Sequence, residues 1–174
     1  MLALRPYKPC DSEKIASWLQ DEDIFLKWSG GRFGSFPPSA EDFDRKYCKE
    51  NGGCSEEDNF YPLTAVDEKG SALGSFIIRY TNGDPRQLRF GWVVVDSSAR
   101  GRGTGSTMLT LGLKYAFEIL GAQIVTIGVY ENNAPARACY KKLGFSEVKT
   151  VAAEPWSLVE MEIRAENYGK SPVI

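Results

Sequence analysis

The feature that most constrains this chain is the run of residues 93–106, where three consecutive valines give way to a loop of glycine and arginine. The valines predict a buried strand, and a helical pattern begins at Gly105. Glycines allow positive φ and a close approach of the backbone to a ligand, so successive N–H groups can converge on an anion at the positive end of the following helix. Arg100 and Arg102 would add charged donors. The run predicts a strand, a phosphate-binding loop and a helix.

The spacing within this loop separates three kinds of phosphate site. A nucleoside-triphosphatase loop needs Gly-Lys-Ser/Thr, and no lysine lies between positions 100 and 108. A dinucleotide fingerprint beginning at Gly101 would need a third glycine at position 106, where Ser106 stands. The remaining pattern, Arg-x-x-Gly-x-Gly, is met by Arg100, Gly103 and Gly105.

A second motif lies downstream, after an apolar strand pattern at residues 124–130. It reads Asn-Ala-Pro-Ala-Arg-Ala-Cys-Tyr-Lys-Lys-Leu-Gly-Phe over residues 133–145. Together the two motifs resemble the acyl-CoA pyrophosphate loop and the following motif of the GCN5-related N-acetyltransferase (GNAT) family. Two motifs in order, separated by a helix and a strand, are far more specific than either alone. By motif extent, the resemblance covers about a third of the chain. The resemblance to the branch that modifies the amino termini of ribosomal proteins is only partial.

The resemblance implies an α+β fold in one domain over residues 1–174: a central, mostly antiparallel twisted sheet with one parallel, splayed strand pair and helices on both faces. It also implies that the chain is an N-acetyltransferase with acetyl-CoA as co-substrate, in which a primary amine of a small molecule or peptide attacks the thioester directly. Tyr140 matches the family's general acid, and pantetheine would bond to the backbone of the valine strand. The residues implied to contact the co-substrate are Val93, Val94, Val95, Arg100, Gly101, Arg102, Gly103, Thr104, Gly105, Ser106, Asn133, Ala136 and Tyr140.

The general base is left open by the sequence. Many members of the family place a glutamate on the strand before the loop, but the corresponding positions here hold Arg89 and Phe90. Glu131, Asp96 and a water chain are the alternatives, since an oriented amine needs only modest assistance once proximity is supplied.

The acceptor site is expected among the first two helices and their connection, because the other half of the fold would hold acetyl-CoA. Trp28, Phe33 and Phe36 are candidates for its walls, and the acidic residues 21–23 would steer a cationic acceptor. A domain that binds CoA without turnover, as a sensor or interaction module, is the main alternative function. A homodimer is a reasonable expectation for the assembly.

Composition excludes several other classes of protein. The chain has 174 residues, a net charge of −2 and no histidine, so Ser-His and Cys-His dyads and mixed Cys/His zinc sites are impossible. The charge argues against a nucleic-acid partner. No apolar stretch has the length of a membrane span. We therefore expect a cytoplasmic protein that does not associate with membranes. The four cysteines form no Cys-x-x-Cys pair, and we expect reduced thiols and no metal.

Periodicity and turn residues predict the remaining elements. A first helix follows Asp11 or Ser12, and Ser39 caps a second with Asp42 completing a capping box. The sequence Asn51-Gly52-Gly53 ends the second helix, and Gly121 ends the helix of the glycine loop. The predicted strands cover residues 2–7, 60–66, 72–81, 88–95, 124–130, 147–151 and 156–164.

Overall fold

The computed structural model describes residues 1–49, 51 and 59–169. Its strands are β1 (Ala3–Pro6), β2 (Phe60–Val66), β3 (Ala72–Thr81), β4 (Asp84–Val95), β5 (Ile124–Tyr130), β6 (Ser146–Val151) and β7 (Leu158–Arg164). Its helices are α1 (Ser12–Ser17), α2 (Glu22–Ser29), α3 (Ala40–Asp44), α4 (Thr104–Lys114) and α5 (Ala134–Lys142). Wider π-helical turns continue α3 through Arg45–Lys49 and α4 through Tyr115–Ile119.

All seven described strands belong to one sheet, in the order β1-β2-β3-β4-β5-β7-β6. Every neighbouring pair is antiparallel except β4 and β5, which run parallel and are joined by the crossover through α4. Parallel neighbours need such a crossover because a tight turn cannot connect them. The predicted fold class is confirmed, including the single parallel pair and the helices on both faces.

Two apolar layers hold the helices against the sheet. The larger packs α4 and α5 against one face, around Phe76, Phe90 and Met108. The other packs α1, α2 and α3 against the opposite face and is rich in aromatic rings, including Trp28 and Phe43. The sheet therefore separates a half built around the glycine-loop helix from a half built around the first three helices.

Most predicted elements are observed, with two differences. Helix α2 was not predicted, although Asp21 caps its start and Gly30 ends it in the left-handed conformation. Strand β4 begins at Asp84 rather than at residue 88, because Asn82 and Gly83 take positive φ and form a tight hairpin turn with β3. The capping box at Ser39 is confirmed. Most of the helix end predicted at residues 51–53 lies outside the described residues, as does Cys54.

Strand β4 loses its partner β5 and changes direction in its second half. Pairing with β5 runs only from Gln87↔Ile124 to Phe90↔Ile127, so the two strands separate beyond that point. On its other edge β4 carries a bulge, since Ser75 pairs with Val94 while Ile77 pairs with Gly91. Trp92, inside the bulge, has φ 47°, a conformation that non-glycine residues rarely adopt. The bulge redirects the end of β4 and opens a gap between the parallel strands.

Among the residues that the structure describes, no helix has the length and apolar character needed to cross a membrane.

Candidate active site

The glycine loop connects the end of β4 to the first turn of α4. Gly101 and Gly103 have φ of 72° and 81°, and a methyl group built on either would meet no atom within 4 Å. Gly103 is the N-cap of α4, and within the described chain no side chain caps this helix. The first N–H groups of a helix have no partner inside it, and here they open onto free space. The loop can therefore receive an anion.

The two loop arginines are placed differently. Arg100 is exposed, and its Nε donates to the carbonyl oxygen of Val95 at 3.0 Å, which fixes the guanidinium beside the end of β4. Arg102 is also exposed and lines a shallow groove with Asp67, Leu73 and Thr104 on the side of β2 and β3. The structure thus places Arg100, but not Arg102, at the gap between β4 and β5.

The valines predicted to contact pantetheine lie where β4 has left β5. Val94 and Val95 pair with β3 on one edge, and no pairing with β5 is present on the other. The Val94 side chain is buried in the aromatic layer, whereas Val93 and Val95 face the layer of α4. This free edge of β4 offers backbone groups to a ligand lying in the gap.

The second motif forms α5, which borders the same gap. Asn133 caps α5 by accepting from the Ala136 N–H at 3.4 Å, so a structural role accounts for it. The Ser106 Oγ and Cys139 Sγ atoms lie 3.2 Å apart and link α4 to α5. Ala136 is half-buried against the α4 layer. The two motifs, separated in sequence, are neighbours in the fold.

Tyr140 is buried on α5 at 6% exposure. Its hydroxyl makes no hydrogen bond to any described residue. Burial raises the pKa of Tyr140, and the neighbouring Cys139 raises it further. A phenol of raised pKa keeps its proton at neutral pH, which is the form a general acid requires.

The candidate bases differ in availability. Asp96 is buried, receives hydrogen bonds from the backbone and hydroxyl of Ser98, and pairs with Lys14 at 3.2 Å. Burial raises the pKa of Asp96, but the Ser98 bonds and the charge of Lys14 outweigh it, so the pKa lies below its usual value. Asp96 therefore acts as a structural cap and is a poor proton acceptor. Glu131 is exposed just after β5.

The side chains expected to line the acceptor site differ in exposure. They lie in or beside the aromatic layer, which is the layer of α1, α2 and α3. Trp28 and Phe33 are buried within it, whereas Phe36 is 37% exposed and Trp92 is half-buried. The Trp28 indole N–H is buried without a partner among the described residues. From the other side of the gap, Trp156 of the β6–β7 connection approaches α2, with the Lys27 ammonium 5.0 Å from its ring centroid. These groups enclose the face of the sheet opposite α4.

The acidic run at residues 21–23 is explained by α2, which Asp21 caps and which Glu22 and Asp23 begin. Asp21 accepts the Ile24 N–H at 2.9 Å, and Asp23 pairs with Lys27 one turn later at 2.7 Å. Carboxylates at a helix start interact favourably with its dipole. Their position needs no cationic acceptor to account for it.

In α5, Arg137 and Lys141 both pair with Glu147 of β6, as expected of a helix face at the surface.

One charged pair at this site was not predicted. Arg89 of β4 reaches across β5 to Glu160 of β7, with Nη1–Oε2 and Nη2–Oε1 distances of 2.6 and 3.0 Å. It crosses above Gly128, where a built Cβ would lie 2.6 Å from Arg89 Nη2. Arg89 and Gly128 stand next to the last β4–β5 pair, so this bridge lies at the closed end of the gap. Its partners are 71 positions apart, so no local pattern in the sequence marks the pair.

No group of three or more potential metal-ligating residues occurs in the described ranges. The open loop, the uncapped start of α4 and the free edge of β4 fit a phosphorylated, extended substrate.

Comparisons with known proteins agree with this architecture. The family model of the acetyltransferase (GNAT) domain matches residues 1–146. An N-acetyltransferase 9-like protein of Caenorhabditis briggsae is 25% identical over 94% of this chain and 82% of its own length. The mycothiol acetyltransferase of Saccharomonospora viridis is 31% identical over 75% of this chain, and the match spans only 44% of that relative.

Two solved structures have the same fold over nearly their whole length. Spermidine N-acetyltransferase from Vibrio cholerae, in complex with CoA and spermine, aligns with a TM-score of 0.79 at 20% identity, covering 96% of this chain and 97% of the other. Aminoglycoside acetyltransferase AAC(6')-Ib, with coenzyme A, aligns with a TM-score of 0.78 at 20% identity, covering 98% and 99%. With the family model spanning most of the sequence, the chain belongs to the GNAT family of acetyl-CoA-dependent N-acetyltransferases.

Proposed function

We propose that this enzyme transfers the acetyl group of acetyl-CoA to a primary amine that enters from the face of the sheet opposite α4. The gap where β4 leaves β5 at Phe90 and Ile127, continuous with the glycine loop, is the observation that carries this proposal. The relatives are named as mycothiol, spermidine and aminoglycoside acetyltransferases, and at 20–31% identity their names do not carry an acceptor over to this chain.

The co-substrate would lie along the free edge of β4. Its pyrophosphate would accept from the N–H groups of Gly103, Thr104, Gly105 and Ser106, with Arg100 adding charge at the gap. These residues combine an open backbone with the positive end of α4. Pantetheine would run along the backbone of Val95 and Val93, which places the thioester on the side of Val93 that faces the closed end of the gap.

Gly101 and Ala136 would leave room for the co-substrate at the two sides of this path. The exposed Arg102 points to the groove on the β2–β3 side, so we assign it at most a long-range electrostatic role. Asn133 would act mainly through the cap that positions α5.

The chemical step is a direct acyl transfer. The neutral amine attacks the thioester carbonyl, a C–N bond forms, and the C–S bond breaks to release the CoA thiolate. Tyr140 would donate its phenolic proton to that sulfur, while the proton lost by the attacking nitrogen passes to solvent through water or Glu131. Substrate alignment would supply the larger share of the rate, since well-oriented groups react at effective molarities of about 10⁵ M or more.

Tyr140→Phe tests the assignment of the acid. We expect turnover to fall by about 10²-fold or more, in line with the contribution of general acid catalysis, with little change in acetyl-CoA affinity. Release of free thiol from acetyl-CoA over a panel of primary amines measures turnover, and calorimetry measures affinity. Tyr168→Phe is a matched control, because Tyr168 bonds Glu118 at the protein surface.

Unchanged turnover in Tyr140→Phe would remove Tyr140 from the mechanism. Acetyl-CoA binding without thiol release on any amine would instead favour the alternative of a binding module. A homodimer remains a prediction, which sedimentation or light scattering tests directly.

A further inference from the structure

A group of arginines lies beside the closed end of the gap, on the face where the acceptor would enter. Arg79 of β3 stands directly opposite Arg89 of β4 in the sheet register. Both side chains leave the sheet on the side of the aromatic layer, since their strand neighbours Ile78 and Phe90 belong to the α4 layer. Arg32 follows α2 in the loop that supplies Phe33 to the aromatic layer. Three positive charges converge here from three segments.

The negative charge beside these arginines is too small to balance their three positive charges. Glu160 forms a bidentate pair with Arg89 and so satisfies that guanidinium. The guanidinium groups of Arg32 and Arg79 have no hydrogen bond or ion pair with any residue that the structure describes. Two of the three arginines therefore retain unused donors and net positive charge.

Arg79 is the more informative of the two because it is half-buried. Burial lowers its pKa, the charges of Arg89 and Arg32 lower it further, and only Glu160 acts in the opposite direction. Burial of a guanidinium costs solvation, and Arg79 makes no hydrogen bond or ion pair with a described residue in return, although the charge of Glu160 favours it. Phe60 lies opposite Arg79 on β2 and packs against Trp92, which leaves the aromatic side of Arg79 apolar. An anion would supply the partner that Arg79 lacks among the described residues.

We propose that Arg79 and Arg32 bind an anionic group of the acceptor, a carboxylate or phosphate, while the acceptor's amine reaches the thioester. This proposal rests on the proposed function, because it places the thioester beside Val93. Arg89 and Val93 are four positions apart on β4, which corresponds to at most about 13 Å at about 3.3 Å per residue. A single α-amino acid is too short for that span. An amine on an extended chain, such as a peptide amino terminus followed by acidic side chains, fits it.

The charge of this site contrasts with what a polyamine would need. A cationic acceptor would meet Arg32 and Arg79 with repulsion, and two carboxylates at the start of α2, Asp21 and Asp23, are already engaged in capping and in the pair with Lys27. Planar guanidinium groups recognise carboxylates and phosphates through paired hydrogen bonds. The arginines therefore act as a specificity element for anionic acceptors.

Binding to the enzyme–CoA complex tests the proposal independently of catalysis. Two pentapeptides with free amino termini, Ala-Asp-Glu-Gly-Tyr and Ala-Asn-Gln-Gly-Tyr, differ only in charge. We expect the acidic peptide to bind about 10- to 100-fold more tightly at low salt, the range of one or two charge-assisted hydrogen bonds. A second pair, O-phosphoethanolamine and ethanolamine, distinguishes a small phosphorylated acceptor from a peptide. Calorimetry measures both pairs.

The variants Arg79→Gln and Arg32→Gln should each reduce the preference by about tenfold or more. Arg32 is exposed, so its variant tests the site even where loss of Arg79 impairs folding. Arg86→Gln is the matched control, since it removes an exposed arginine of the neighbouring strand β4 that pairs with Asp84. The preference should be unchanged in this control.

Equal affinity for the charged and neutral members of both pairs would overturn the proposal, as would a preference that survives both arginine variants. A preference confined to O-phosphoethanolamine would also overturn it, because that molecule is too short to reach from the arginines to the thioester beside Val93. Failure of the proposed function would be seen separately, because the unmodified protein would then not bind CoA or would not release thiol from acetyl-CoA.

Discussion

The bridge between Arg89 and Glu160 depends on the absence of a side chain at Gly128. In Gly128→Ala the new methyl carbon would lie 2.6 Å from Arg89 Nη2 and 3.4 Å from Leu158 Cδ1. The second distance is an ordinary contact, but the first is not tolerated. Since Nη2 ends a flexible side chain, the guanidinium should move aside and lose its bond to Glu160 Oε1. The Nη1 bond at 2.6 Å need not break.

The free-energy change follows from these two opposing effects. Loss of one hydrogen bond between charged, mostly buried groups costs about 1.5–3 kcal/mol. Replacing glycine by alanine in extended backbone restricts the unfolded chain and stabilises the fold by about 0.4–1 kcal/mol. We therefore expect a net destabilisation of about 1–2 kcal/mol by combining these terms. For a chain of this size that corresponds to a Tm lower by about 2–8 °C.

A double-mutant cycle measured by urea unfolding separates the bridge from other effects of the methyl group. In an Arg89→Met background nothing remains for the alanine to displace. Gly128→Ala should then be neutral or slightly stabilising, and the coupling free energy should be about 1.5–3 kcal/mol. An equal penalty with and without Arg89 would show that the steric argument is wrong. So would an unchanged stability of the single Gly128→Ala variant.

Three further predictions concern the loop, a buried carboxylate and the α4 layer. Gly103→Ala should weaken acetyl-CoA binding by about tenfold or more, because strain at positive φ distorts the first turn of α4; calorimetry tests this, and Gly121→Ala, strained at φ 68° but away from the loop, should leave affinity unchanged. Asp11 pairs with Arg5 through two 2.7 Å bonds. Burial raises its pKa, but its hydrogen bonds and the charge of Arg5 outweigh this and lower it. Its stabilisation should be complete above about pH 4, the unfolded value, and be lost as pH falls below that; acid unfolding of Asp11→Asn should lack this component and its stability at pH 7 should be lower by about 3–5 kcal/mol. Gly112→Ala would place Cβ 2.7 Å from a buried phenyl ring, and thermal melts should show a loss of about 1–3 kcal/mol.

The sequence predicted those features that depend on neighbouring residues. Strands β2, β3 and β5 have the predicted bounds because alternating or continuous apolar runs end at turn residues. The capping box at Ser39 and the glycine loop were recognisable for the same reason. Helix α2 was missed although Asp21 and Gly30 mark its ends, since eight residues give a weak periodic pattern.

The acceptor side of the site was less predictable because it is assembled from distant segments. Arg79, Arg89 and Glu160 lie on three strands, and only the sheet order brings them together. Arg89 was identified from the sequence merely as the residue standing where a glutamate was expected. Its partner carboxylate arrives from β7, across a glycine that has no motif of its own. The bulge at Trp92 likewise results from pairing with β3, which no local pattern encodes.

That bulge divides β4 into two segments whose side chains alternate between the faces of the sheet in opposite phase. Before it, Leu88 and Phe90 contact the α4 layer; after it, Val93 and Val95 do so, while Trp92 and Val94 enter the aromatic layer. Odd-numbered and even-numbered positions thus exchange faces within a single strand. If β4 kept all its residues but continued the alternation of Phe90 without the bulge, the indole ring of Trp92 would turn to the α4 side, so the bulge, as much as the composition of β4, keeps the donor and acceptor compartments apart.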